Sequence, residues 1–193
     1  MNSKTVKIVG TGLLMAIVVV LQALVSGIRF GTFSITLTLV PIIIGAALFG
    51  PLAGALLGTV FGVVVLITDA GAFMAISIPG TIIVCILKGA LAGLAAGYIY
   101  RLLEKKNKLL AVVVAGICAP VVNTGIFLLG CKLFFYDTIK GWAAASGYEN
   151  TGLYMITIFV GLNFIVELLV NLVLSTTIVR IVEIGRKQIK INK

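Results

Sequence analysis

Five polar side chains inside apolar runs of the sequence are the most informative: Lys88, Asn123, Asn163, Glu167 and Asn171. An ionisable group in hydrocarbon costs about 2.5–3.5 kcal/mol even on the most lenient insertion scale, so it needs a compensating partner. A lysine ammonium can pair with a carboxylate, and an asparagine amide both donates and accepts hydrogen bonds. These residue types therefore indicate a binding chemistry, in which a polar solute is held inside an apolar protein.

The depths of Lys88, Asn123 and Asn163 predict that these three residues can line one site that opens outward. At 1.5 Å per residue, Lys88 lies ~12 Å below the start of its predicted helix and Asn163 lies ~18 Å below the start of its own. Asn123, near the middle of a third helix, reaches a comparable depth. Asn163, Glu167 and Asn171 recur every four residues and so share one helix face, which we expect to point into the bundle.

Two interpretations of these side chains remain open, and both can hold together. In the first, Lys88 and Glu167 form a buried ion pair and the asparagines bridge neighbouring helices. In the second, Lys88 is the counter-ion for a carboxylate on a ligand, and Asn123 and Asn163 bind its polar body. Glu167 lies ~24 Å below the start of its helix, so pairing with Lys88 requires bending or a long reach. This difference in depth favours the second interpretation, in which Lys88 pairs with a carboxylate of the ligand.

No catalytic pattern accompanies these residues. The sequence has no histidine, which excludes HExxH zinc chemistry and histidine-activated serine or cysteine nucleophiles. It has no GxSxG or Walker A motif, and Glu167 has no second carboxylate within a span. The three cysteines are isolated and lack CxxC spacing. We therefore expect no enzymatic activity, no metal site and no cofactor.

The composition predicts an all-α integral membrane protein. Hydrophobic residues make up 61% of the 193 residues, charged residues 11%, and the mean hydropathy is +1.24. Since about 20 residues cross the hydrocarbon layer, one transmembrane domain of six helices occupies the whole of 1–193. The helices are expected at 6–28, 34–49, 51–67, 80–103, 109–135 and 151–179. Pro41 predicts either partly extended chain before it or a kinked helix.

The distribution of basic residues predicts the orientation. The N-terminus, the connection between the fourth and fifth helices and the C-terminus hold eleven of the fifteen Lys and Arg residues. By the positive-inside rule both termini are cytoplasmic, and the connections at 29–33, 69–79 and 136–150 face outward. The net charge of +9 is thereby explained by membrane orientation, and we expect no nucleic-acid partner.

Small residues predict close helix packing. Glycines recur every fourth position in two predicted helices: Gly50, Gly54, Gly58 and Gly62 in one, and Gly89, Gly93 and Gly97 in the other. Such faces let helix backbones approach closely in lipid, and packing inside the bundle is the simplest explanation. A further pair in the first helix, Gly12 and Ala16, is able to meet either this bundle or a separate membrane subunit.

The chain resembles the substrate-binding S components of energy-coupling factor (ECF) vitamin importers over nearly its full length. The resemblance rests on six spans, internal termini, the Gly12-to-Ala16 pair and the hairpin Leu-Val-Pro-Ile-Ile-Ile-Gly-Ala-Ala-Leu-Phe-Gly-Pro-Leu-Ala-Gly at residues 39–54. A glycine-rich third helix follows this hairpin, and the Lys88-Gly-x-x-x-Gly93 segment fits less specifically. The family usually has two alanines where this chain has Gly12 and Ala16.

The resemblance implies a function and a set of partners. An S component binds one vitamin from outside and docks through its first helix onto a transmembrane coupling subunit with two ATPase subunits. Ligands are held by helices 4 to 6, which matches Lys88, Asn123 and Asn163, and are capped by outer segments, here 29–38 and 136–150. The implied location is a bacterial plasma membrane, in contact with lipid.

Pantothenate is the leading ligand hypothesis, because Lys88 favours a carboxylate and the amides favour a molecule with hydroxyl and amide groups. Biotin or folate would satisfy the same chemistry. Glu167 is kept as a further candidate in the binding site. Two other classes of function remain open: an autonomous channel or proton-coupled carrier using Glu167, and a structural subunit of a membrane assembly.

Overall fold

The computed structural model describes residues 3–26, 29–30, 33–34 and 37–191, almost entirely as helices. The first half contains α1 (Ser3–Val25), the two-residue strands β1 (Arg29–Phe30) and β2 (Phe33–Ser34), α2 (Leu39–Phe49), α3 (Pro51–Thr68) and α4 (Gly71–Met74). The second half contains α5 (Ile78–Leu103), α6 (Lys108–Phe134), α7 (Tyr136–Ala145), α8 (Thr151–Tyr154), a π-helix (Met155–Val160), α9 (Gly161–Val173) and α10 (Ser175–Ile191). The predicted all-α membrane fold is confirmed at this level.

Five helical stretches in the described residues are long and apolar enough to cross a membrane. They are Lys4–Leu24, Pro51–Thr68, Ile78–Leu103, Lys108–Phe134 and Thr151–Val173. The helix predicted at 34–49 is instead an 11-residue helix, α2, which rises only about 16 Å. Because that length covers roughly half of a ~30 Å hydrocarbon layer, the prediction of six full spans is not confirmed.

Pro41 explains the late start of α2. The helix begins at Leu39 and places Pro41 in its first turn, where a backbone N–H has no helical partner to lose. The preceding chain is extended at Phe33–Ser34, which pairs antiparallel with Arg29–Phe30. The prediction of partly extended chain is therefore confirmed for this pair, and the predicted helix start at residue 34 is wrong.

The two glycine-rich faces pack directly against each other and join α3 to α5. A Cβ atom on Gly58 would collide with the backbone carbonyl of Gly89, and one on Gly54 with that of Gly93. One turn further along, Gly62 lies against the backbone of Cys85. Packing inside the bundle, the simplest explanation of these glycines, is confirmed.

A tight turn at Gly50 joins α2 to α3. Gly50 has φ +104°, a conformation that glycine adopts without strain, and Pro51 occupies the first position of α3. Beneath the turn, the buried core is formed mainly by α2, α3, α5, α6 and the start of α10, with Ile42, Leu57 and Phe61 fully buried.

The last predicted helix, 151–179, differs most from the prediction. It is divided into α8, a π-helical turn and α9, and after a break at Leu174 it continues as α10 to Ile191. The predicted end at residue 179 is therefore wrong. The predicted outer connection 136–150 also contains a ten-residue helix, α7, whose Ile139 and Ala143 are buried.

Candidate functional site

Lys88 projects from α5 into an aromatic environment. Its side chain is half-buried, and Nζ lies 5.6 Å from the ring centroid of Phe61 on α3 and 5.3 Å from that of Phe127 on α6. Both distances are within the range of a cation–π interaction. Within the described part of the chain Lys88 forms no ion pair. The ion pair with Glu167, which the first interpretation predicted, is therefore not observed.

Asn123 of α6 lies on the face that Lys88 contacts. It is one helical turn before Phe127, so the two side chains share that face. Only 6% of Asn123 is exposed, and its Oδ1 atom has no hydrogen-bond partner among the described residues. A buried acceptor left in this state costs about 1–3 kcal/mol. The face therefore presents a cation and an unused hydrogen-bond acceptor together.

The polar face of α9 points into the bundle, as predicted. Glu167 and Asn171 are 4% and 2% exposed, whereas Asn163, nearer the π-helix, is half-buried. Asn163 and Glu167 both have interaction partners. Because α9 packs against α6, its polar face approaches the helix that carries Asn123.

Asn171 bridges two helices, as the first interpretation of the sequence predicted for the asparagines. Its Nδ2 donates a 3.1 Å hydrogen bond to the backbone carbonyl of Gly116 on α6. Pro120 lies four residues after Gly116 and has no N–H, so this carbonyl has lost its helical partner. Asn171 thus satisfies the acceptor that proline frees, as a membrane interior requires.

A second buried polar group ties together α1, α2 and α3. Gln22, 1% exposed, donates from Nε2 to Asp69 Oδ2 at 2.9 Å and accepts from the Thr38 hydroxyl at 3.2 Å. The Thr68 hydroxyl also donates to Asp69 Oδ2, at 2.8 Å. The sequence offered no specific signal for this group, because Gln22 is a single polar residue in a long apolar run.

Aromatic rings form an apolar wall beside Lys88. Phe73 of α4 packs at 5.8 Å from Phe127, at 5.0 Å from Phe135 and at 6.0 Å from Trp142 on α7, between ring centroids. Sequence reasoning missed Phe127, although its position four residues after Asn123 was the signal that could have found it. The predicted cap at 29–38 lies in part outside the described residues, which here include 29–30, 33–34 and 37–38.

Taken together, the site offers the cation of Lys88 beside two aromatic rings and the buried amide of Asn123 on the same face of α6 as one of those rings. Among the described residues no group of three or more His, Cys, Asp or Glu side chains is placed to hold a metal ion. The arrangement is suited to hold an anionic, hydrogen-bonding solute in an apolar setting, where its electrostatic interactions are strengthened.

The family model of the ECF transporter substrate-specific component matches residues 6–179. The chain belongs to this family. Searches of curated proteins and of solved structures gave no match. As an ECF substrate-specific component, the protein is a multi-pass membrane protein that confers substrate specificity on uptake. It is a substrate-binding component of a transporter and not an enzyme, and it works with a coupling subunit and ATPase subunits.

The first helix of this ECF component has a largely uncovered surface. Only 11% of the span Lys4–Leu24 is buried, against 44% of the span Pro51–Thr68. Gly12 and Ala16 are both exposed, and a Cβ atom added to Gly12 would meet nothing within 4 Å. The glycine faces of α3 and α5 are already occupied by each other, whereas the Gly12 and Ala16 pair is open to a partner.

Proposed function

We propose that this ECF substrate-specific component binds a small carboxylate-bearing vitamin from the extracellular side, with pantothenate as the leading ligand. Lys88, Asn123, Asn163 and Glu167 form its binding site. The proposal rests on one observation above all: the ammonium of Lys88 is half-buried within a membrane span and has no ion-pair partner in the described structure.

The energetics of Lys88 favour an anionic ligand. A lysine at the centre of a span costs about 2.5–3.5 kcal/mol. A cation–π interaction returns about 0.5–1 kcal/mol at an exposed site and about 2 kcal/mol when desolvated, so neither ring alone offsets this cost. A carboxylate delivered by the ligand supplies the missing compensation and would make a charge-assisted hydrogen bond.

Asn123 favours a ligand with hydrogen-bond donors. Its buried Oδ1 is unpartnered among the described residues, and a hydroxyl or amide N–H of the ligand would satisfy it. Pantothenate carries a carboxylate, hydroxyl groups and an amide, which is why it is the leading candidate for the ligand. Asn163 and Glu167 extend the polar face on α9 and would bind the remainder of the molecule.

The orientation is part of the proposal. The basic residues at the N-terminus, the α5–α6 connection and α10 support cytoplasmic termini in a bacterial plasma membrane. Termini on one side require an even number of crossings, so α2 counts as the second of six. The Lys88 site then opens to the outside, and the exposed Gly12 and Ala16 dock onto the coupling subunit.

The test is equilibrium binding of an acid and its neutral analogue to the purified protein. We expect Lys88→Met to weaken binding of pantothenate by tenfold or more, since it removes the counter-ion. Binding of the corresponding alcohol, which has no carboxylate, should change little. Lys132→Met is the matched control, because Lys132 is an exposed lysine on α6. Unchanged pantothenate affinity in Lys88→Met would contradict the counter-ion role.

Burial of Glu167 within a span favours a second candidate, an autonomous proton-coupled carrier. Liposomes containing only this protein separate the two functions. A binding component should bind substrate without accumulating it, whereas a carrier should accumulate it when a pH gradient is imposed. Glu167→Gln would abolish that accumulation in a carrier.

A further inference from the structure

A cavity of about 490 Å³ lies at the opposite end of the bundle from the Lys88 site, where α5 ends, α6 begins and α10 crosses beside them. Its lining residues are Tyr100, Lys108, Val182, Glu183, Arg186 and Lys187. Three of these six carry a positive charge and one carries a negative charge. Tyr100 and Val182 are each 1% exposed and form an apolar floor.

Arg186 is held in place on three sides. Its Nη1 pairs with Glu104 at 2.5 Å, its Nη2 donates to the carbonyl of Ala47 at 2.8 Å, and its guanidinium lies 5.2 Å from the ring of Tyr100. The carbonyl of Ala47 belongs to the last turn of α2, where backbone acceptors lack helical partners. Arg186 therefore joins α2, α5 and α10 and presents a fixed cation at the cavity.

The two lysines at the cavity, Lys108 and Lys187, differ in whether they have an ion-pair partner. Lys108 pairs with Glu183 at 2.8 Å, and this neighbour lowers the pKa of the Glu183 carboxyl, which stays ionised at neutral pH. Lys187 is exposed and has no hydrogen-bond or ion-pair partner among the residues described. Two of the three cations at the cavity, Arg186 and Lys108, are thus paired with carboxylates, and Lys187 is not.

Exposed leucines lie at the ends of the two spans that frame the cavity, α5 and α6. Leu102 is 73% exposed, and Leu109 and Leu110 at the start of α6 are 44% and 46% exposed. Since these residues lie at the ends of membrane spans, the cavity sits where the hydrocarbon region meets water. A ligand that fits has an anionic head for the cavity and an apolar tail for the leucines.

We propose that this cavity binds the phosphate-bearing headgroup of an anionic phospholipid. Lys187 and Arg186 contact the phosphate oxygens, and the acyl chains lie along Leu102, Leu109 and Leu110. Lipid reaches this position from the membrane itself, at high local concentration, whereas a soluble phosphate would gain nothing from the leucine surface. This inference does not depend on the identity of the transported ligand.

The test is native mass spectrometry of the full-length protein in neutral detergent, titrated with phosphatidylglycerol or phosphatidylcholine. We expect bound phosphatidylglycerol at concentrations where phosphatidylcholine leaves the protein bare. Lys187→Gln should weaken phosphatidylglycerol binding about fivefold, the effect of removing one basic residue near an anionic surface. Lys140→Gln, an exposed lysine on α7 at the other end of the bundle, is the matched control and should not change binding.

A second variant gives a change of opposite sign. Glu183→Gln releases Lys108 from its ion pair and should tighten phosphatidylglycerol binding, a result that general damage to the fold would not produce. Equal binding of the two lipids to the wild-type protein would overturn the proposal. So would phosphatidylglycerol binding that neither Lys187→Gln nor Glu183→Gln changes. Displacement of the lipid by millimolar glycerol phosphate would overturn the assignment to a lipid and leave a soluble phosphate as the occupant.

Discussion

Asn123 and Asn171 are both buried asparagines within spans, yet they differ in whether their side-chain amides are hydrogen-bonded. Asn171 donates to the carbonyl that Pro120 leaves without a partner, whereas Oδ1 of Asn123 has no partner among the described residues. In an apolar interior the first arrangement stabilises the fold and the second destabilises it. A destabilising group that persists beside Lys88 is what a ligand site prepared in advance would contain.

Replacing each asparagine with leucine, which has a similar size, should therefore have opposite effects on stability. Asn123→Leu removes an unsatisfied acceptor, so we expect the ligand-free protein to gain about 1–3 kcal/mol and to unfold at a higher temperature. The same variant should bind ligand more weakly. Thermal unfolding in detergent and ligand titration measure the two quantities.

Asn171→Leu is the matched control for Asn123→Leu and should lower the unfolding temperature, because it leaves the Gly116 carbonyl unsatisfied. A fall in unfolding temperature for both variants would show that Oδ1 of Asn123 is satisfied in the free protein. That result would remove Asn123 from the argument for a ligand.

At the level of single residues, the sequence identified the polar groups but not their partners. Lys88, Asn123 and Glu167 stand out because charge or amide in an apolar run has a cost that must be compensated. Phe61 and Phe127 do not stand out, because aromatic residues are ordinary in such runs. Which asparagine is satisfied depends on which helix faces α6, and that is decided by packing between distant segments.

Among the helices, the hydrogen bond from Asn171 on α9 to Gly116 on α6 replaces the one that Pro120 cannot donate. We expect Asn171→Leu to cost about 1 kcal/mol or more in the wild-type background, through the lost bond and the orphaned carbonyl. In a Pro120→Ala background the N–H of residue 120 is restored to Gly116, so the cost should become much smaller. A double-mutant cycle on the free energy of unfolding measures this coupling. Equal costs in both backgrounds would mean that Asn171 acts elsewhere.

The packing of α3 on α5 leaves no room for a side chain at Gly58. A methyl group there would collide with the backbone carbonyl of Gly89, which cannot move aside as a flexible side chain would. We expect Gly58→Ala to destabilise the protein by about 1–3 kcal/mol, as measured by thermal unfolding.

Gly125→Ala provides the control for Gly58→Ala, since Gly125 is also within a helix but has open space around it. It should be neutral or stabilising by up to about 1 kcal/mol, because alanine favours helix more than glycine does. Similar losses in the two variants would mean that helix propensity and not the α3–α5 contact decides the result.

The glycine periodicity predicted this helix contact, but the ends of the helices were less predictable. Pro41 predicted an irregular start to α2 without fixing its position. A kinked helix and a helix that begins just before Pro41 both accommodate a residue without a backbone N–H. No proline interrupts the chain from Thr151 to Val173, so the π-helix at Met155–Val160 had no clear signal in the sequence. The extension of α10 to Ile191 is stabilised by Arg186, whose partners are distant in sequence.

For the whole molecule, the proposed docking surface on α1 is separate from the proposed ligand site. Gly12 and Ala16 are exposed, whereas Val18 and Gln22 of the same helix are buried, and Gln22 hydrogen-bonds to Asp69. We therefore expect Gly12→Leu with Ala16→Leu to leave ligand affinity unchanged and to abolish ATP-driven uptake. Co-purification with the coupling subunit measures docking directly.

Val20→Leu, on an exposed position of the same helix, is the control for the docking variant and should retain uptake. Loss of ligand binding in the Gly12→Leu and Ala16→Leu protein would show that α1 contributes to the fold of the ligand site. Normal uptake by that protein would place the docking surface on another helix.

The central claim is that a lipid-embedded bundle keeps Lys88 and Asn123 available for a small acidic solute. Native mass spectrometry of the purified protein tests this claim most directly, by the mass of any bound vitamin and by titration with a panel of vitamins. We expect one bound molecule per chain, a carboxylate-bearing vitamin, which is lost from Lys88→Met and retained by Lys132→Met. A protein that binds no member of the panel, or that binds a carboxylate-bearing vitamin equally in Lys88→Met, would contradict it.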